Sequence, residues 1–187
     1  IPHHFAGYIP KAHEGIACVG FCNWMENWDN FREYPCQKLK DSLVIGQTYE
    51  FEMYVLTEKT PCIYGGWVVD DFGVLFSTVK PQKGGNGVID WQPQYTHAGY
   101  LFSSIWKRLS FTFTADSAYK YLTFGSYTVD AVQSRHQTDS AISFDCSYMY
   151  ADGVSLKALS TTGIEEIALK KEIPWLNRYN LLGQRIK

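Results

Sequence analysis

The sequence predicts an all-β fold, an antiparallel β-sandwich or jelly roll with a short C-terminal extension. Three segments alternate apolar and polar side chains with the period of two that a half-buried strand requires: residues 49–55, 109–114 and 142–156. Turn residues separate these segments, and no long stretch shows the 3.6-residue period of a helix. Seven or more short strands joined by turns are typical of a sandwich or a jelly roll.

The remaining elements follow from the same signals, taken in chain order. We expect further strands near residues 15–22, 33–39, 66–78 and 119–127. Turns are expected at residues 41–42, 59–61, 84–87 and 116–117, which combine Asp, Ser, Pro, Asn and Gly. Residues 81–99 form the longest irregular stretch and are expected to be a surface loop. Composition changes at Ser160-Thr161-Thr162-Gly163, so the sandwich is expected to span 1–158 and a linker with an appendage 159–187.

Length and composition limit the class of protein. The 187 residues fit one domain with a substantial core, and 30 aromatic residues (11 Phe, 13 Tyr and 6 Trp) against 19% charged residues argue against disorder. A net charge of −2 argues against nucleic-acid binding through phosphate neutralisation. No apolar run has the length of a membrane-spanning helix, so no membrane span is expected. The chain opens with IPHHFAGYIP, and we expect either a processed start or a fragment.

The five cysteines leave two alternatives open. No pair has the spacing of a zinc site. Cys18 and Cys22 are expected on one strand, about 13 Å apart, which is too far for a mutual disulfide. Either one disulfide joins one of them to Cys36, Cys62 or Cys146, or the cysteines are buried thiols that pack as small apolar groups.

Several motifs, taken in order, carry a resemblance to a known family. They are GYIPKAHEGIACVGF (7–21), REYPCQKLKDSLVIGQTYEFEMYV (32–55), VVDDFGVLFST (68–78), and WKRLSFTFTADSAYKYLTFGSY with YMYADGVSL (106–127 and 148–156). Together they resemble a jelly-roll domain common in secreted and cell-surface proteins of Bacteroidetes. That domain is similar to carbohydrate-binding modules of the family 4/9 type, which have a galactose-binding-like fold. The resemblance covers most of residues 7–157 and implies a secreted or cell-surface module.

The chain departs from this family at two places. The chain lacks the NPSFE-like motif of the first family strand, so that strand is expected to be either deleted or cut off upstream, and Gly153 stands where the closing motif usually has a second Asp. The tail, GIEEI to RYNLLGQRIK, resembles the beginning of a type IX secretion sorting domain and ends before the further strands of such a domain. The alternative for the tail is one extra strand that packs on the body.

Catalysis is not expected. The chain lacks the G-x-S-x-G, H-E-x-x-H and G-x-x-x-x-G-K-[ST] motifs, and its five histidines show no spacing typical of a triad or a metal site. Asp70 and Asp71 are adjacent on a predicted strand, so their carboxylates would point to opposite faces and could not flank one glycosidic bond. We therefore expect a non-enzymatic protein.

Asp152 is the one candidate metal ligand. It shares a strand face with Tyr150 and Val154, and an inward carboxylate is costly unless it is hydrogen-bonded or binds a cation. The resemblance implies a structural calcium ion at this position, held in the family with partners from the first strand. The alternative is a carboxylate that accepts backbone N–H groups near a loop. No other cofactor is expected.

Carbohydrate binding is the leading functional hypothesis. A sugar site needs flat aromatic faces for C–H groups and planar polar side chains for hydroxyls. Six aromatic residues lie among Asn, Gln and Gly in segments unlike core strands, and only some of them are expected to contact ligand. The resemblance instead assigns Trp106 to the core. The aromatic residues of the alternating strands are also expected there: Phe51, Phe111, Phe113, Phe124 and Phe144. The six candidates are Trp24, Trp28, Tyr64, Trp67, Trp91 and Tyr95.

The competing class is a structural, adhesin or assembly protein of a bacterial surface complex. The same exposed aromatic side chains would then bind a protein partner, in a homo- or hetero-assembly. Both classes imply a chain that is secreted or lies on the outer cell surface.

Overall fold

The structure, a computed structural model, describes residues 10–57, 64–85, 87–140, 144–159, 178–179 and 185–186. No described residue lies in a helix, and none therefore belongs to an apolar helix long enough to cross a bilayer. The strands are β1 (Val19–Met25), β2 (Cys36–Lys38), β3 (Thr48–Leu56), β4 (Tyr64–Val69), β5 (Phe72–Ser77), β6 (Tyr95–Thr96), β7 (Lys107–Thr114), β8 (Tyr121–Ser126), β9 (Arg135–Gln137), β10 (Phe144–Ala158), β11 (Arg178–Tyr179) and β12 (Arg185–Ile186).

The larger sheet is built around β10, the longest strand. On one edge of β10, β1 pairs antiparallel with residues 146–151. On the other edge, β3 pairs antiparallel with residues 150–158, and β4 runs parallel to residues 144–146. The sheet then extends from β3 to β7 and from β4 to β9, both antiparallel. The alternation predicted for 49–55 and 109–114 is confirmed, because the apolar residues of β3 and β7 face the core and the polar ones face outward.

The smaller sheet has the strand order β2-β8-β5-β6, with antiparallel pairs throughout. The strand predicted over 66–78 is wrong as one element: it is two strands, β4 in the larger sheet and β5 in the smaller one. Asp70 and Asp71 form the link between the sheets instead of lying within a strand. The run of apolar residues on both sides of this link conceals the change of sheet.

Aromatic rings from the two sheets meet in the core. Phe51 on β3 contacts Phe76 on β5 with ring centroids 5.9 Å apart and planes at 82°. Phe21 on β1 contacts Phe124 on β8 edge-on, with centroids 5.4 Å apart. All four side chains are buried. The chain therefore forms an all-β sandwich with one core between its sheets. The jelly-roll order of strands and the boundary between 1–158 and 159–187 stay predictions.

The expectation of Trp106 as a core residue is wrong. Trp106 is only partly buried, just before β7, and its indole N–H donates to the Lys11 carbonyl at 3.0 Å. Its ring contacts His13 edge-on, with centroids 6.1 Å apart. The residue thus holds the segment before β1 on the outside of the sheet. Of the phenylalanines assigned with it, Phe111 and Phe113 pack at the margin of the core, and the side chain of Phe144 lies outside the described part.

Among the residues that the structure describes, Cys18, Cys22 and Cys36 are free thiols. Cys22 and Cys146 are buried, as expected of cysteines that pack as small apolar groups. Cys62 lies outside the described residues. In the C-terminal region, β11 and β12 pair antiparallel, and the sorting-domain hypothesis rests on residues that are otherwise not described.

Candidate binding site

The side chain of Arg32 is fully buried in the segment that joins β1 to β2. Its Nε donates to Ser126 Oγ at 3.1 Å, and its Nη1 donates to the Phe31 carbonyl at 2.8 Å. Its Nη2 donates to the Thr128 carbonyl at 2.8 Å and to Asp130 Oδ1 at 2.7 Å. Because a buried guanidinium is tolerated only when it is paired and hydrogen-bonded, these contacts fix the segment around Arg32 to the loop after β8.

Asp71 also binds the loop after β8, through its buried carboxylate. Its carboxylate accepts hydrogen bonds from Ser126 Oγ at 2.5 Å, from the Thr128 N–H at 2.9 Å and from Gln133 Nε2 at 3.0 Å. The buried carboxylate is therefore saturated by donors. Because Ser126 also bonds Arg32, the two charged side chains belong to one buried polar network.

Asn30 and Asp130 bind each other reciprocally. The Asn30 N–H donates to Asp130 Oδ2 at 2.9 Å, and the Asp130 N–H donates to Asn30 Oδ1 at 2.7 Å. Asn30 has φ 52°, a left-handed conformation that Asn adopts more readily than most residues. Gly87 packs directly on this turn, since a Cβ at Gly87 would lie 3.1 Å from the Asn30 carbonyl oxygen. This close approach brings the loop after β5 against the segment after β1.

Two further contacts fasten residues 80–85 and 87–89, the described residues of what is called the 80–89 loop below, to the same segment. The Lys83 ammonium donates to the Arg32 carbonyl, and it lies 5.8 Å from the ring centroid of Phe31 and 5.9 Å from that of Tyr34. The Ile89 N–H donates to the Tyr34 hydroxyl at 3.3 Å. The 80–89 loop thus covers the outer face of the smaller sheet.

A cavity of about 330 Å³ lies where these segments meet. This volume is at the lower end of the range for small-molecule sites. One wall comes from the strand pair β2–β8 and the residues before it, and the other from the 80–89 loop. The lining residues are Arg32, Glu33, Tyr34, Cys36, Lys80, Pro81, Lys83, Ile89 and Thr123.

Tyr34 provides a fixed aromatic wall of the cavity. Its hydroxyl donates to the Ser126 carbonyl at 2.5 Å, and burial raises the pKa of Tyr34 to about 12, so the phenol is neutral at physiological pH. Its ring packs on Gly125, where a Cβ would lie 2.9 Å from Tyr34 Cδ1. Glycine at position 125 is therefore what allows the ring to lie against the sheet.

Thr123 adds an unsatisfied hydroxyl to the cavity lining. The residue lies on β8 and is 1% exposed, and its Oγ1 makes no hydrogen bond within the described part of the chain. Its neighbours Leu122 and Phe124 point into the core, so Thr123 points to the outer face of the sheet, beneath the 80–89 loop. A buried hydroxyl without a hydrogen-bond partner is unusual in a folded protein.

Two of the six predicted aromatic residues are exposed. Trp28 is 61% exposed and packs edge-on against Phe31, with centroids 5.7 Å apart, which places it beside Lys83 and the cavity. Trp91 is 42% exposed and follows Ile89 by two residues on the same irregular segment. Exposure at both positions agrees with the sequence-based expectation.

Three of the other four predicted residues, those whose side chains the structure describes, are at least partly buried. The expectation that Trp24 is unlike a core residue is wrong: it is 8% exposed on β1, and Trp67 contacts it edge-on at 5.5 Å across the sheet. Trp67 is half-buried and Tyr95 stacks on Phe111 at the core margin, with centroids 4.6 Å apart. Tyr64 begins β4, and its side chain lies outside the described part. Trp24 therefore packs with Trp67, and Tyr95 packs with Phe111, inside the protein.

Asp152 makes the hydrogen bonds of the second alternative. Its Oδ2 accepts the Glu14 N–H at 3.0 Å and its Oδ1 accepts the Gly153 N–H at 2.7 Å. The residue lies beside a bulge in the pairing of β10 with β3, where Gly153 has φ 58°. Within residues 10–57, 64–85, 87–140 and 144–159, no three His, Cys, Asp or Glu side chains gather in a metal-binding arrangement.

The residues that build this site were not predicted from the sequence. Arg32, Tyr34 and Thr123 lie in segments that carry the family resemblance, but nothing in those segments or around Lys83 marks them as ligand contacts. Long-range contacts bring them together in the folded chain. The one available signal was the glycine-rich turn at residues 84–87, which predicts an irregular loop but not what the loop covers.

No protein-family model matches the chain, and no curated protein matches it significantly. The function is therefore argued from the geometry of the site.

Proposed function

We propose that this chain is a non-catalytic binding module, secreted or on the outer cell surface, that binds a carbohydrate in the cavity beneath the 80–89 loop. The observation that carries the proposal is the cavity itself: a fixed aromatic wall, Tyr34, faces polar groups from separate segments, and one of these groups, the Thr123 hydroxyl, has no partner within the described residues.

The chemistry of the cavity suits a sugar. A pyranose has an apolar C–H face, which packs on an aromatic ring, and a rim of hydroxyls, which exchange hydrogen bonds with polar side chains. Tyr34 offers the ring, while the Thr123 hydroxyl and the Glu33 carboxylate offer a donor and acceptors along the same cavity. The volume of about 330 Å³ accommodates roughly one or two sugar rings.

Trp28 extends the aromatic surface beyond the cavity. Its contact with Phe31, and the position of Lys83 over both Phe31 and Tyr34, form a continuous strip from the exposed indole to the cavity. Such a strip gives a second stacking position for an oligosaccharide longer than the cavity.

The hydrogen bonds of Asp71 and Ser126 in the buried network support a non-catalytic role. Asp71 and Ser126 are hydrogen-bonded to each other, but both are buried among Arg32 and Gln133 and neither has a histidine as a described partner. Both groups are held in structural bonds, and a general base for a serine nucleophile is absent from these partners. The network instead gives the loops a fixed shape, which lowers the entropic cost of binding.

Glycan-array screening followed by titration calorimetry tests the proposal. Trp28→Ala is expected to weaken binding of the best oligosaccharide by about tenfold, and Thr123→Val to weaken it several-fold while the fold is retained. Trp91→Ala is the matched control, because Trp91 is also an exposed indole but lies outside the strip of Trp28, Phe31 and Lys83 that leads to the cavity. Absence of glycan binding, or equal binding by the wild type, Trp28→Ala and Thr123→Val, would contradict the proposal.

The second candidate is a structural, adhesin or assembly protein. Tyr100, Phe102 and Ile105 expose large side chains within one short segment, while Leu101 between them is buried. Exposed apolar side chains gathered in this way favour protein contacts. If no glycan binds, and sedimentation shows a self-association that Phe102→Ser with Ile105→Ser abolishes, this function replaces carbohydrate binding.

A further inference from the structure

We infer that the carbohydrate is acidic, and that its carboxylate or sulfate group is bound at the Lys80 and Lys83 side of the cavity. This inference rests on the proposed function and adds the charge of the ligand. Its basis is an excess of positive charge at the cavity of a chain whose net charge is −2.

The charges that line the cavity are Arg32, Glu33, Lys80 and Lys83. The guanidinium of Arg32 is neutralised by Asp130, at 2.7 Å. Glu33 Oε2 accepts the Cys22 N–H at 2.8 Å, so its carboxylate is bonded to the edge of β1. Two ammonium groups therefore remain against one carboxylate that is already engaged.

Neither lysine has an anionic partner among the residues that the structure describes. The Lys83 ammonium uses one N–H for the Arg32 carbonyl and is held between the rings of Phe31 and Tyr34, which leaves further N–H groups to donate. Lys80 forms no ion pair within the described residues. An ammonium group held beside a cavity by a backbone carbonyl and aromatic faces is a preformed point charge for an anion.

Thr123 adds a hydroxyl group from β8 to the lining of the cavity. Its unpartnered hydroxyl can donate to the same anionic group or to a sugar hydroxyl. Because the cavity is partly covered by the 80–89 loop, an anion inside it is less screened than at an open surface. The combination of ammonium groups, one hydroxyl and the Tyr34 ring fits a sugar that carries a negative charge.

Pairs of probes that differ only in charge test the inference. Calorimetry compares an oligogalacturonate with its methyl ester, and a sulfated galactan oligosaccharide with its desulfated form. We expect the charged member of at least one pair to bind about tenfold or more tightly than its neutral partner, and this advantage to shrink as salt rises. The pair that shows the advantage tells carboxylate from sulfate.

Lys80→Met is the test variant, because Lys83 also holds the Arg32 carbonyl and its loss would disturb the loop. It is expected to reduce binding of the charged probe about fivefold to tenfold and to change binding of the neutral probe less than twofold. Lys157→Met, an exposed lysine on β10 outside the cavity, is the matched control and is expected to change neither.

The outcomes separate the inference from the proposed function. Neutral and charged probes that bind equally, or a Lys80→Met variant that weakens both by the same factor, overturn the inference and leave carbohydrate binding intact. Failure of all four probes and of the glycan array overturns the proposed function together with the inference.

Discussion

Arg32 joins the three segments that surround the cavity, through its side chain and its backbone carbonyl. It links the segment after β1 to the loop after β8, and its carbonyl receives the Lys83 ammonium from the 80–89 loop. The guanidinium therefore joins two of the segments that surround the cavity, and the backbone carbonyl of the same residue joins the third, the 80–89 loop. Moving a charge of this kind out of water costs free energy during folding. Removing the charge by mutation also costs free energy, because its hydrogen-bond partners stay buried without a partner.

Replacing Arg32 by Met is expected to lower the free energy of unfolding by about 3 to 5 kcal/mol, because Asp130, Ser126 and the Thr128 carbonyl lose their partner inside the protein. Urea denaturation measures the change. Arg108→Met is the control: Arg108 pairs with Glu52 at the exposed surface, and its loss is expected to be small. Equal losses in the two variants would contradict a structural role for the buried network.

Tyr34 predicts how stability depends on alkaline pH. Burial raises its pKa to about 12 from an ordinary value of 10.0. Between these values the unfolded chain releases the phenol proton and the folded chain keeps it, so the free energy of unfolding falls as the pH rises from 10 to 12. Below pH 10 the contribution is fully present. Denaturant unfolding at stepped pH measures the slope.

Tyr34→Phe is the control for this pH dependence. The variant is expected to show a shallower fall in the free energy of unfolding, because one titrating phenol is removed. Some slope remains, since burial also raises the pKa of Tyr127 well above its usual value. An unchanged slope would mean that Tyr34 titrates alike in the folded and unfolded states.

Single residues show what the sequence could and could not predict. Trp28 was recognisable because an indole among Asn, Asp and Glu is typical of a surface segment. The same pattern misled at Trp24, since its polar neighbour Asn23 lies at a bulge in the pairing of β1 with β10 and is itself buried. Local composition carries no information about a bulge, which exists only in relation to the partner strand.

At the scale of elements, the strands with clear alternation were predictable and the connections were not. β3 and β7 show the period of two because each has one buried face. The single apolar face predicted over 142–156 is wrong, because the bulge between Asp152 and Ser155 shifts the alternation of β10. Met149 and Ala151 face the core before the bulge, and Val154 and Leu156 pack on it after the bulge. β5 is buried along its whole length, so its residues read as one apolar run with β4. The transfer between sheets at Asp71 depends on partners more than 50 positions away in the chain, among them Ser126 and Gln133.

The segment before β1 offers a test at this scale. Asp152→Ala is expected to lower the free energy of unfolding by about 1 to 2 kcal/mol and to speed hydrogen exchange at Glu14, because the carboxylate no longer accepts the Glu14 and Gly153 N–H groups. Asp152→Asn, which keeps one carbonyl oxygen, is the control and is expected to lose less. Denaturation and amide exchange measure both.

Calcium binding at Asp152 is the alternative that a second experiment tests. Since both carboxylate oxygens of Asp152 already accept backbone N–H groups, EDTA and added calcium are expected to leave the Tm of the wild type unchanged. A Tm that rises with calcium in the wild type and not in Asp152→Asn would instead support the structural calcium site that the family resemblance implies.

The whole molecule depends on aromatic contacts between its two sheets. The high aromatic content divides into rings that fill this interface and rings near the 80–89 loop. Alternation predicted the first group correctly at Phe51 and Phe124, because a core position on a half-buried strand repeats every second residue. The cavity could not be predicted in this way, because it forms on the outer face of the smaller sheet from loops that meet only in the folded chain.

Phe76 tests whether the sandwich unfolds as one unit. It contacts Phe51 across the core and stacks on Phe113, with centroids 4.6 Å apart, so it joins the two sheets. Phe76→Ala is expected to lower the free energy of unfolding by about 3 to 5 kcal/mol, because it leaves a cavity at this junction. Far-ultraviolet dichroism and Trp fluorescence should follow one transition in the wild type and in the variant.

Val44→Ala is the matched control, because Val44 is an exposed apolar residue and its truncation leaves no cavity. Its Tm is expected to equal that of the wild type. If the two probes instead separate in Phe76→Ala, the sheets unfold independently, and the sandwich is held mainly by the buried network around Arg32 and not by its aromatic core. The free energies of unfolding of Arg32→Met, Phe76→Ala and the double variant with both substitutions test that point. The two losses add if the network and the aromatic core contribute independently, and they do not add if the contribution is shared.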